Sequence, residues 1–304
     1  MTCPRLPTIS RVLRRAGHTT LDLSESANLY LTPAQGRWFE AVLADATYQE
    51  SVVAPLARAG NALPYLLGSV APSAQNQALT VVDCGPATAE ESVRKLRALQ
   101  QVGVIRRYVV IDVNSILLAR VKAGVAADLG FPVATIQKRF EEIDSGTLHQ
   151  QCDGLVLLLF GSTGMNYEPA DLRRLTRRLC SPGTLISFES LLRRDGVLTA
   201  PEYKSDAVVR FAFGPLWMLG AALDQFDFRL LPAKDRVRFE FVARRRVRLE
   251  HPDAPCLRVG DRVWTAFSRR PTLSEYQTEV CRIARHVGTF IFEDQVVASL
   301  GQIG

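Results

Sequence analysis

The chain has 304 residues, of which 47% are hydrophobic and 22% are charged. This balance excludes an intrinsically disordered chain, which carries fewer apolar residues. The length allows two domains, or one large domain with a cap, and a core that needs no disulfide or metal for its stability. Lys and Arg number 37 against 31 Asp and Glu, so the net charge is +6.

The basic excess by itself does not indicate a nucleic-acid partner. Only five of the 37 basic residues are Lys, and the Arg residues are spread along the chain. The densest cluster, at 244–248, lies in an alternating pattern that we interpret as the solvent-facing side of a strand. We therefore expect a small-molecule ligand and no nucleic acid.

No run of the sequence is apolar enough to span a membrane. The run Leu155–Phe160 is far shorter than the roughly 18 residues that a bilayer requires, and the first residues lack the apolar core of a signal peptide. The six cysteines stand apart without a C-x-x-C pair, and the four histidines are scattered. We expect a cytoplasmic protein with reduced thiols and no metal site; nothing indicates its oligomeric state.

The first 74 residues are predicted to be mainly helical. Phe39, Val42 and Leu43 lie at helical spacing. A polar stretch that contains a proline follows at 71–77 and marks a boundary. We expect residues 1–74 to form a helical cap that contributes to substrate binding.

The segment 75–205 alternates short apolar strands with amphipathic helices. The pattern predicts strands at 79–83, 108–112, 131–136, 154–160 and 184–188, and helices at 89–102, 115–127 and 169–179. Such alternation is typical of a parallel sheet with helices on both faces. The predicted fold class is therefore α/β, with a Rossmann-like sheet in which ligands bind beyond the carboxyl ends of the strands.

From residue 206 to 304 this alternation ends, and we expect an α+β accessory region on the substrate side. The pattern predicts helices at 207–223 and 272–287, half-exposed antiparallel strands at 226–231, 237–249 and 262–268, and a closing hairpin of 290–292 and 296–300.

Two strand ends carry the residues expected of a nucleoside site. Asp83 ends the first strand, and Gly85 follows where the backbone must turn tightly. The fingerprint G-x-G-x-x-G and the phosphate-loop Lys-Ser/Thr are both absent, which argues against nicotinamide cofactors and nucleoside triphosphates. Asp112 ends the second strand, where an acid can accept hydrogen bonds from the hydroxyls of a ribose. The alternatives are an ordinary strand-to-helix turn at Gly85 and a helix cap at Asp112.

Two further strand ends could complete such a site. Phe140 follows the third strand and could pack on a base, although an isolated Phe belongs more often to the core. The fourth strand leads into Gly161, small hydroxyl residues and Asn166. The side chain of Asn166 both donates and accepts hydrogen bonds. A loop without function is the alternative there.

These residues resemble the motifs of class I S-adenosylmethionine-dependent methyltransferases. The resemblance lies in Asp83–Thr88, Arg107–Val113, Phe160–Asn166 and Ser181–Ile186. More narrowly, their order is similar to the histidine-specific methyltransferases of ergothioneine synthesis, whose relatives methylate the α-amine of aromatic amino acids. The narrower resemblance covers about 30–300 and extends to Trp38–Glu40, Tyr48 and Val263–Ser268.

The resemblance implies S-adenosylmethionine as cofactor and assigns residues to it and to the acceptor. The implied cofactor contacts are Asp83, Gly85, Thr88, Asp112, Val113, Arg139, Phe140 and Gly161. The implied substrate contacts are Phe39, Tyr48, Asn166, Tyr203, Ala266 and Ser268, with Asn166 and Tyr48 positioning the acceptor.

The chain departs from the family pattern at several of these positions. Ala87 replaces a second glycine, Glu91 replaces a Lys, Arg139 replaces an Asp, and Gln49 replaces the second of two tyrosines. Ala266 stands where the family has the acid that holds the histidine ring. An apolar or aromatic acceptor therefore suits this chain better than histidine.

We expect an N-methyltransferase acting on the amine of an amino acid or a related small molecule. Methyl transfer from a sulfonium needs orientation and a dry site more than protein acid–base groups, and no Ser-His-Asp set or carboxylate pair is evident. The alternatives are an O- or C-methyltransferase of a specialised metabolite, and a non-catalytic scaffold in which Glu91 and Arg139 pair across the pocket and fill it.

Overall fold

The computed structural model describes residues 6–15, 17–72, 77–130, 132–193, 200–293 and 295–304. Its contacts divide the chain into two compact units, one of Met1–Ser51 and Asp195–Arg269, the other of Val52–Arg194 and Arg270–Gly304. This division differs from the three consecutive segments expected from the sequence, because the start and the middle of the chain belong to one unit. Residues 73–76 of the predicted connector at 71–77 and the start of the predicted third strand, Phe131, lie outside the described residues.

The described residues form twelve strands and eleven α-helices. The strands are β1 (Arg11–Arg15), β2 (His18–Asp22), β3 (Ala78–Cys84), β4 (Val104–Asp112), β5 (Val133–Gln137), β6 (Leu155–Gly161), β7 (Leu185–Leu191), β8 (Phe226–Pro232), β9 (Arg236–Ala243), β10 (Arg262–Arg269), β11 (Arg285–Phe292) and β12 (Val296–Gln302). The helices are α1 (Pro33–Leu43), α2 (Ala46–Tyr48), α3 (Ala54–Gly60), α4 (Leu63–Val70), α5 (Ala89–Gln100), α6 (Ser115–Leu129), α7 (Ser145–His149), α8 (Pro169–Leu179), α9 (Asp206–Ala212), α10 (Gly214–Met218) and α11 (Leu273–Cys281). Among the described helices none combines the length and apolarity that a bilayer crossing requires.

The first unit contains a five-stranded sheet with the order β1-β2-β10-β9-β8. Its neighbours are antiparallel except β2 and β10, which are parallel. The prediction of a mainly helical start is wrong for β1 and β2, because residues 11–22 form a hairpin that turns at Gly17, whose φ is +78°. Such a φ favours glycine and a tight turn over a continuing helix.

The arginine cluster at 244–248 does not lie on a strand face as predicted. Strand β9 ends at Ala243, and within the cluster only Val247 pairs, in an isolated bridge with Leu257. The alternating pattern continues past the strand end, but no neighbouring strand accompanies it there. The cluster therefore belongs to a loop.

The second unit contains the predicted Rossmann-like sheet. Its seven strands have the order β11-β12-β7-β6-β3-β4-β5, and the five strands from β3 to β7 are mutually parallel. Strand β12 runs antiparallel to β7 and to β11. The fold class is thus confirmed, and the predicted closing hairpin forms.

The hairpin belongs to the parallel sheet, which the sequence did not indicate. The predicted helix at 272–287 is correspondingly shorter, because α11 ends at Cys281 and residues from Arg285 onward pair with β12. Tyr276 of α11 is fully buried and its hydroxyl donates to the carbonyl of Phe188 at 3.0 Å. The last 35 residues therefore cover and extend the sheet.

The strand order reverses beside β3. From β3 the chain proceeds to β4 and β5 on one side of the sheet, and then returns to β6 and β7 on the other side. Ligands of open α/β sheets bind at the carboxyl ends of the strands where the order reverses. The segments that follow β3 and β6, at 85–88 and 162–166, lie at this reversal.

Candidate functional site

Gly85 brings the ends of three strands together. Its φ is +70°, and a Cβ atom there would lie 3.1 Å from Oγ1 of Thr163 and 3.5 Å from Cζ of Phe140. The Thr163 hydroxyl donates to the carbonyl of Gly85 at 3.4 Å. The structure thus places residues that follow β3, β5 and β6 side by side. A glycine is needed for both the backbone conformation and the close approach.

Asp112 lies at the carboxyl end of β4 with 7% of its surface exposed. Its Oδ1 accepts the amide of Asn114 at 2.7 Å. The alternative of a helix cap at Asp112 does not hold, because Asn114 caps α6 by accepting the amides of Ile116 and Leu117 at 3.0 and 3.3 Å. Burial raises the pKa of Asp112 to about 7.

Phe140 and Arg139 follow β5. Phe140 is half-buried, packs against the core of the sheet and lies edge-on to Phe160, with 6.0 Å between ring centroids. The amide of Arg139 donates to Glu142 at 3.4 Å. The backbone carbonyl of Val113, which directly follows β4, accepts from the side-chain amide of Gln137 at 3.4 Å. Phe140 therefore packs against the core of the sheet and also lies beside Gly85, where it could contact a base.

Asp83 is engaged in a buried hydrogen-bond group. Its Oδ2 accepts the hydroxyl of Tyr108 at 2.7 Å and that of Ser92 at 3.2 Å. Burial raises the pKa of Asp83, although the nearby Lys95 acts in the opposite direction. The side chain holds β3, β4 and α5 together.

Lys95 forms a second buried group with two carboxylates. Its Nζ lies 2.8 Å from Glu91 and 2.9 Å from Glu189 of β7. Burial alone would lower the pKa of Lys95, but Glu189 and Glu91 outweigh it and the pKa is raised. For Glu91 the Lys95 charge outweighs burial and lowers the pKa, whereas for Glu189 burial prevails and raises it.

This group borders the end of β6. Gly161 has a φ of +49°, and a Cβ atom there would lie 3.7 Å from Nζ of Lys95 and 3.8 Å from Oε2 of Glu189. The pairing of Glu91 with Arg139, expected of a filled and non-catalytic pocket, does not form, because Glu91 pairs with Lys95.

Sequence reasoning missed Lys95 and Glu189. The available signals were the spacing of four residues between Glu91 and Lys95, and a Glu that directly follows an apolar strand. Neither signal shows that Lys95 and Glu189 meet. Their contact depends on the order of the strands in the sheet.

Three of the implied substrate residues meet in the first unit. The hydroxyl of Tyr203 donates to Oγ of Ser268 at 2.8 Å, and the rings of Tyr48 and Tyr203 lie 6.2 Å apart. Ala266 of β10 is 7% exposed. Phe39 packs instead in an aromatic cluster, with its ring 5.2 Å from that of Phe211.

The remaining implied contacts belong to the second unit. Asn166 ends a short 3-10 helix that follows β6, and it is half-buried. Thr88 caps α5 by accepting the amide of Glu91 at 3.1 Å. Within the described residues no group of three or more His, Cys, Asp or Glu is arranged to hold a metal ion.

No family model matches the chain, and no curated protein matches it. Some solved structures are similar to this chain over most of its length. The complex of DhpI with S-adenosylhomocysteine has 9% identity and a TM-score of 0.44, over 92% of this chain and 99% of that one. The PH0226 protein from Pyrococcus horikoshii OT3 has 10% identity and a TM-score of 0.44, over 88% and 97%.

A third similar structure is the Burkholderia thailandensis 1,6-didemethyltoxoflavin-N1-methyltransferase with 1,6-didemethyltoxoflavin and S-adenosylhomocysteine. It has 11% identity and a TM-score of 0.42, over 88% of this chain and 90% of that one.

Proposed function

We propose that the chain is an S-adenosylmethionine-dependent N-methyltransferase that acts on the amine of an amino acid or a related small molecule other than histidine. The observation that carries this proposal is Asp112. It is a buried carboxylate at the carboxyl end of β4, next to the reversal of strand order. It does not cap the following helix α6, because Asn114 does so. A carboxylate in this position suits the two hydroxyls of a ribose.

The residues at the strand ends fit the nucleoside part of this cofactor. Asp112 would accept from the ribose, Phe140 would contact the base, and the backbone from Gly85 to Thr88 would pass close to the ligand. Ala87 has no positive φ, so its side chain adds bulk to the turn without backbone strain. S-adenosylmethionine would supply a methyl group activated by its sulfonium.

The charge of the second unit supports a cationic ligand. Three carboxylates act on the one ammonium of Lys95, namely those of the buried Asp83 and Glu189 and that of Glu91, whose side chain is 23% exposed. This excess of carboxylates stabilises a cation such as a sulfonium or an ammonium and repels phosphates. It agrees with the lack of a phosphate-binding loop.

On the acceptor side, Asn166 can orient an amine but cannot remove its proton. The amine must therefore arrive neutral or release its proton to water. Ala266 offers no carboxylate to an imidazole, which is why histidine is not proposed. The group of Tyr48, Tyr203 and Ser268 stays a prediction for the binding of an apolar or aromatic acceptor.

Calorimetric titration with S-adenosylhomocysteine tests the cofactor assignment. Hydrogen bonds to a charged group contribute about 1.5–3 kcal/mol each, so Asp112→Ala should weaken binding at least tenfold. Asp153→Ala is the matched control. Asp153 precedes β6, at the amino-terminal ends of the parallel strands and away from Asp112, and it pairs with Arg107 on the surface at 3.5 Å. The control should bind like the wild type.

An unchanged affinity in Asp112→Ala, or no binding by the wild-type protein, would overturn the proposal. The acceptor is tested by mass spectrometry of products from a panel of amino acids, amines and phenols. A product methylated on oxygen or carbon would keep the cofactor and replace the N-methyltransferase with the alternative activity.

A further inference from the structure

The first unit contains a cavity of about 470 Å³ between the β1–β2 hairpin and the loop that precedes β10. Its lining includes Arg14 and His18 from the hairpin, and Cys256, Arg258 and Asp261 from the loop. The volume falls in the range of about 300–1,000 Å³ that small-molecule sites occupy.

Two arginines and one acid are the charged side chains among the residues that line the cavity. Arg14 and Arg258 form no ion pair with any residue in the described ranges. The one acid in the lining, Asp261, is 2% exposed and accepts the amides of Thr19 and Arg258, each at 2.7 Å. His18 lies 3.9 Å from it. The two oxygens of this carboxylate thus accept amides of the hairpin and of the loop, and the carboxylate forms an ion pair with neither guanidinium group.

The arginine cluster that follows β9 adds a third guanidinium. Arg244 pairs with Asp227 at 3.4 Å, and Arg245 pairs with Asp224 at 3.1 Å. Arg246 instead donates through Nε to Sγ of Cys256 at 3.2 Å, in the wall of the cavity. Of these three neighbours, only the one beside the cavity has no carboxylate partner among the described residues.

We propose that this cavity binds the phosphate end of a small phosphorylated molecule. Arg recognises phosphate through two parallel N–H donors, and three such groups match a diphosphate in charge and in donor number. The cavity is also larger than a diphosphate alone needs, which leaves room for an organic part. This site is independent of the proposed methyl transfer, whose residues lie at the carboxylate-rich strand ends of the other unit.

Protection of Cys256 from alkylation reports occupancy directly. Cys256 and Cys281 are both exposed, and Cys281 ends α11 in the second unit. Labelling with a maleimide, read by peptide mass spectrometry, should slow at least threefold at Cys256 in saturating pyrophosphate and remain unchanged at Cys281. Sodium chloride of equal ionic strength controls for screening.

Variants separate a built site from general charge. Arg14→Ala and Arg258→Ala should each abolish protection by pyrophosphate, whereas Arg245→Ala removes the same charge from an ion pair outside the cavity and should preserve it. Both cavity arginines are exposed, so their loss leaves the core intact. Stronger protection by ADP than by pyrophosphate would place an organic part in the cavity, and equal protection would assign binding to the phosphates alone.

Other results would overturn the proposal. These are no protection of Cys256, equal protection of Cys281, or an equal loss in Arg245→Ala. Protection by a single-stranded oligonucleotide at lower concentration than by ADP would replace the small molecule with a nucleic acid.

Discussion

The two units of the chain use charge in opposite ways. In the second unit, carboxylates are buried beside the strand ends, where Glu91 and Glu189 share the single ammonium of Lys95. In the first unit, the exposed guanidinium groups of Arg14 and Arg258 form no ion pair within the described ranges, and they line a cavity whose one acid, Asp261, accepts two backbone amides. The net charge of +6 for the whole chain therefore does not indicate the local charge at either site. The ligands that we propose follow from how charged side chains are paired at each site, with a cation at the strand ends of the second unit and an anion in the cavity of the first unit.

The largest expected effect comes from removing the ammonium of the buried group. Lys95→Met leaves the buried Glu189 and the partly buried Glu91 without their shared ammonium, and breaking a buried pair in this way costs about 3–5 kcal/mol. The free energy of unfolding in urea measures this loss. Arg97→Ala is the control, because its pair with Asp128 at 3.7 Å is exposed and its removal should cost less than about 1 kcal/mol.

A loss below about 1 kcal/mol in Lys95→Met would contradict this view of the group. Removing the two buried charges as well, with Glu91→Gln and Glu189→Gln, should restore part of the stability. That recovery distinguishes uncompensated charge from the loss of packing alone.

Gly85→Ala tests the close approach of the strand ends. A non-glycine residue at positive φ costs about 1–2 kcal/mol, and here the added Cβ would also press on Thr163 at 3.1 Å. We expect lower stability and at least tenfold weaker binding of S-adenosylhomocysteine. Gly130→Ala shares the strained backbone, with a φ of +67°, but nothing lies within 4 Å of its Cβ.

The control should therefore lose similar stability and keep its affinity. If both variants lose affinity equally, strain rather than the site explains the effect.

The pH dependence of binding tests the state of Asp112. Its pKa of about 7 in the ligand-free protein means that the carboxyl group becomes protonated as the pH falls below 7. Ribose hydroxyls stabilise the ionised form, so the affinity for S-adenosylhomocysteine should fall by up to about tenfold per pH unit below 7. Asp112→Asn should bind weakly with a flat pH profile. A steep profile in Asp112→Asn would assign the titration to another group.

The smallest effect is expected in the first unit. Tyr203→Phe removes the hydrogen bond to Ser268 and should cost about 1 kcal/mol of stability. If the predicted role in acceptor binding is correct, the KM for the acceptor rises while the affinity for S-adenosylhomocysteine is unchanged. A change in the affinity for S-adenosylhomocysteine with an unchanged KM for the acceptor would refute that role.

Much of the parallel sheet could be predicted from the sequence because its strands are short and each contains an apolar run. Strands β3 and β6 begin and end near their predicted bounds, and Asp112 ends β4 as expected, although β4 begins at Val104, four residues before its predicted start. The helix α8 has the predicted bounds because Pro169 begins it. Local pattern suffices where burial on both faces leaves a continuous apolar run.

Features that depend on long-range pairing could not be predicted. The β1–β2 hairpin is a short, Arg-rich segment without an apolar period, and it is stabilised by pairing with β10 from the far end of the first unit. Likewise the last hairpin alternates too weakly to show that it adds to the parallel sheet through β7. The contact of Lys95 with Glu189 also depends on long-range pairing, because it requires β7 to lie next to β6 and β6 next to β3 in the sheet.

A crystal structure of the complex with S-adenosylhomocysteine tests the central claim most directly. We expect both ribose hydroxyls within about 2.5–3.0 Å of the Asp112 carboxylate, beside Gly85 and Phe140. Ligand bound elsewhere, or an Asp112 carboxylate with no ribose hydroxyl within hydrogen-bond distance, would contradict the account.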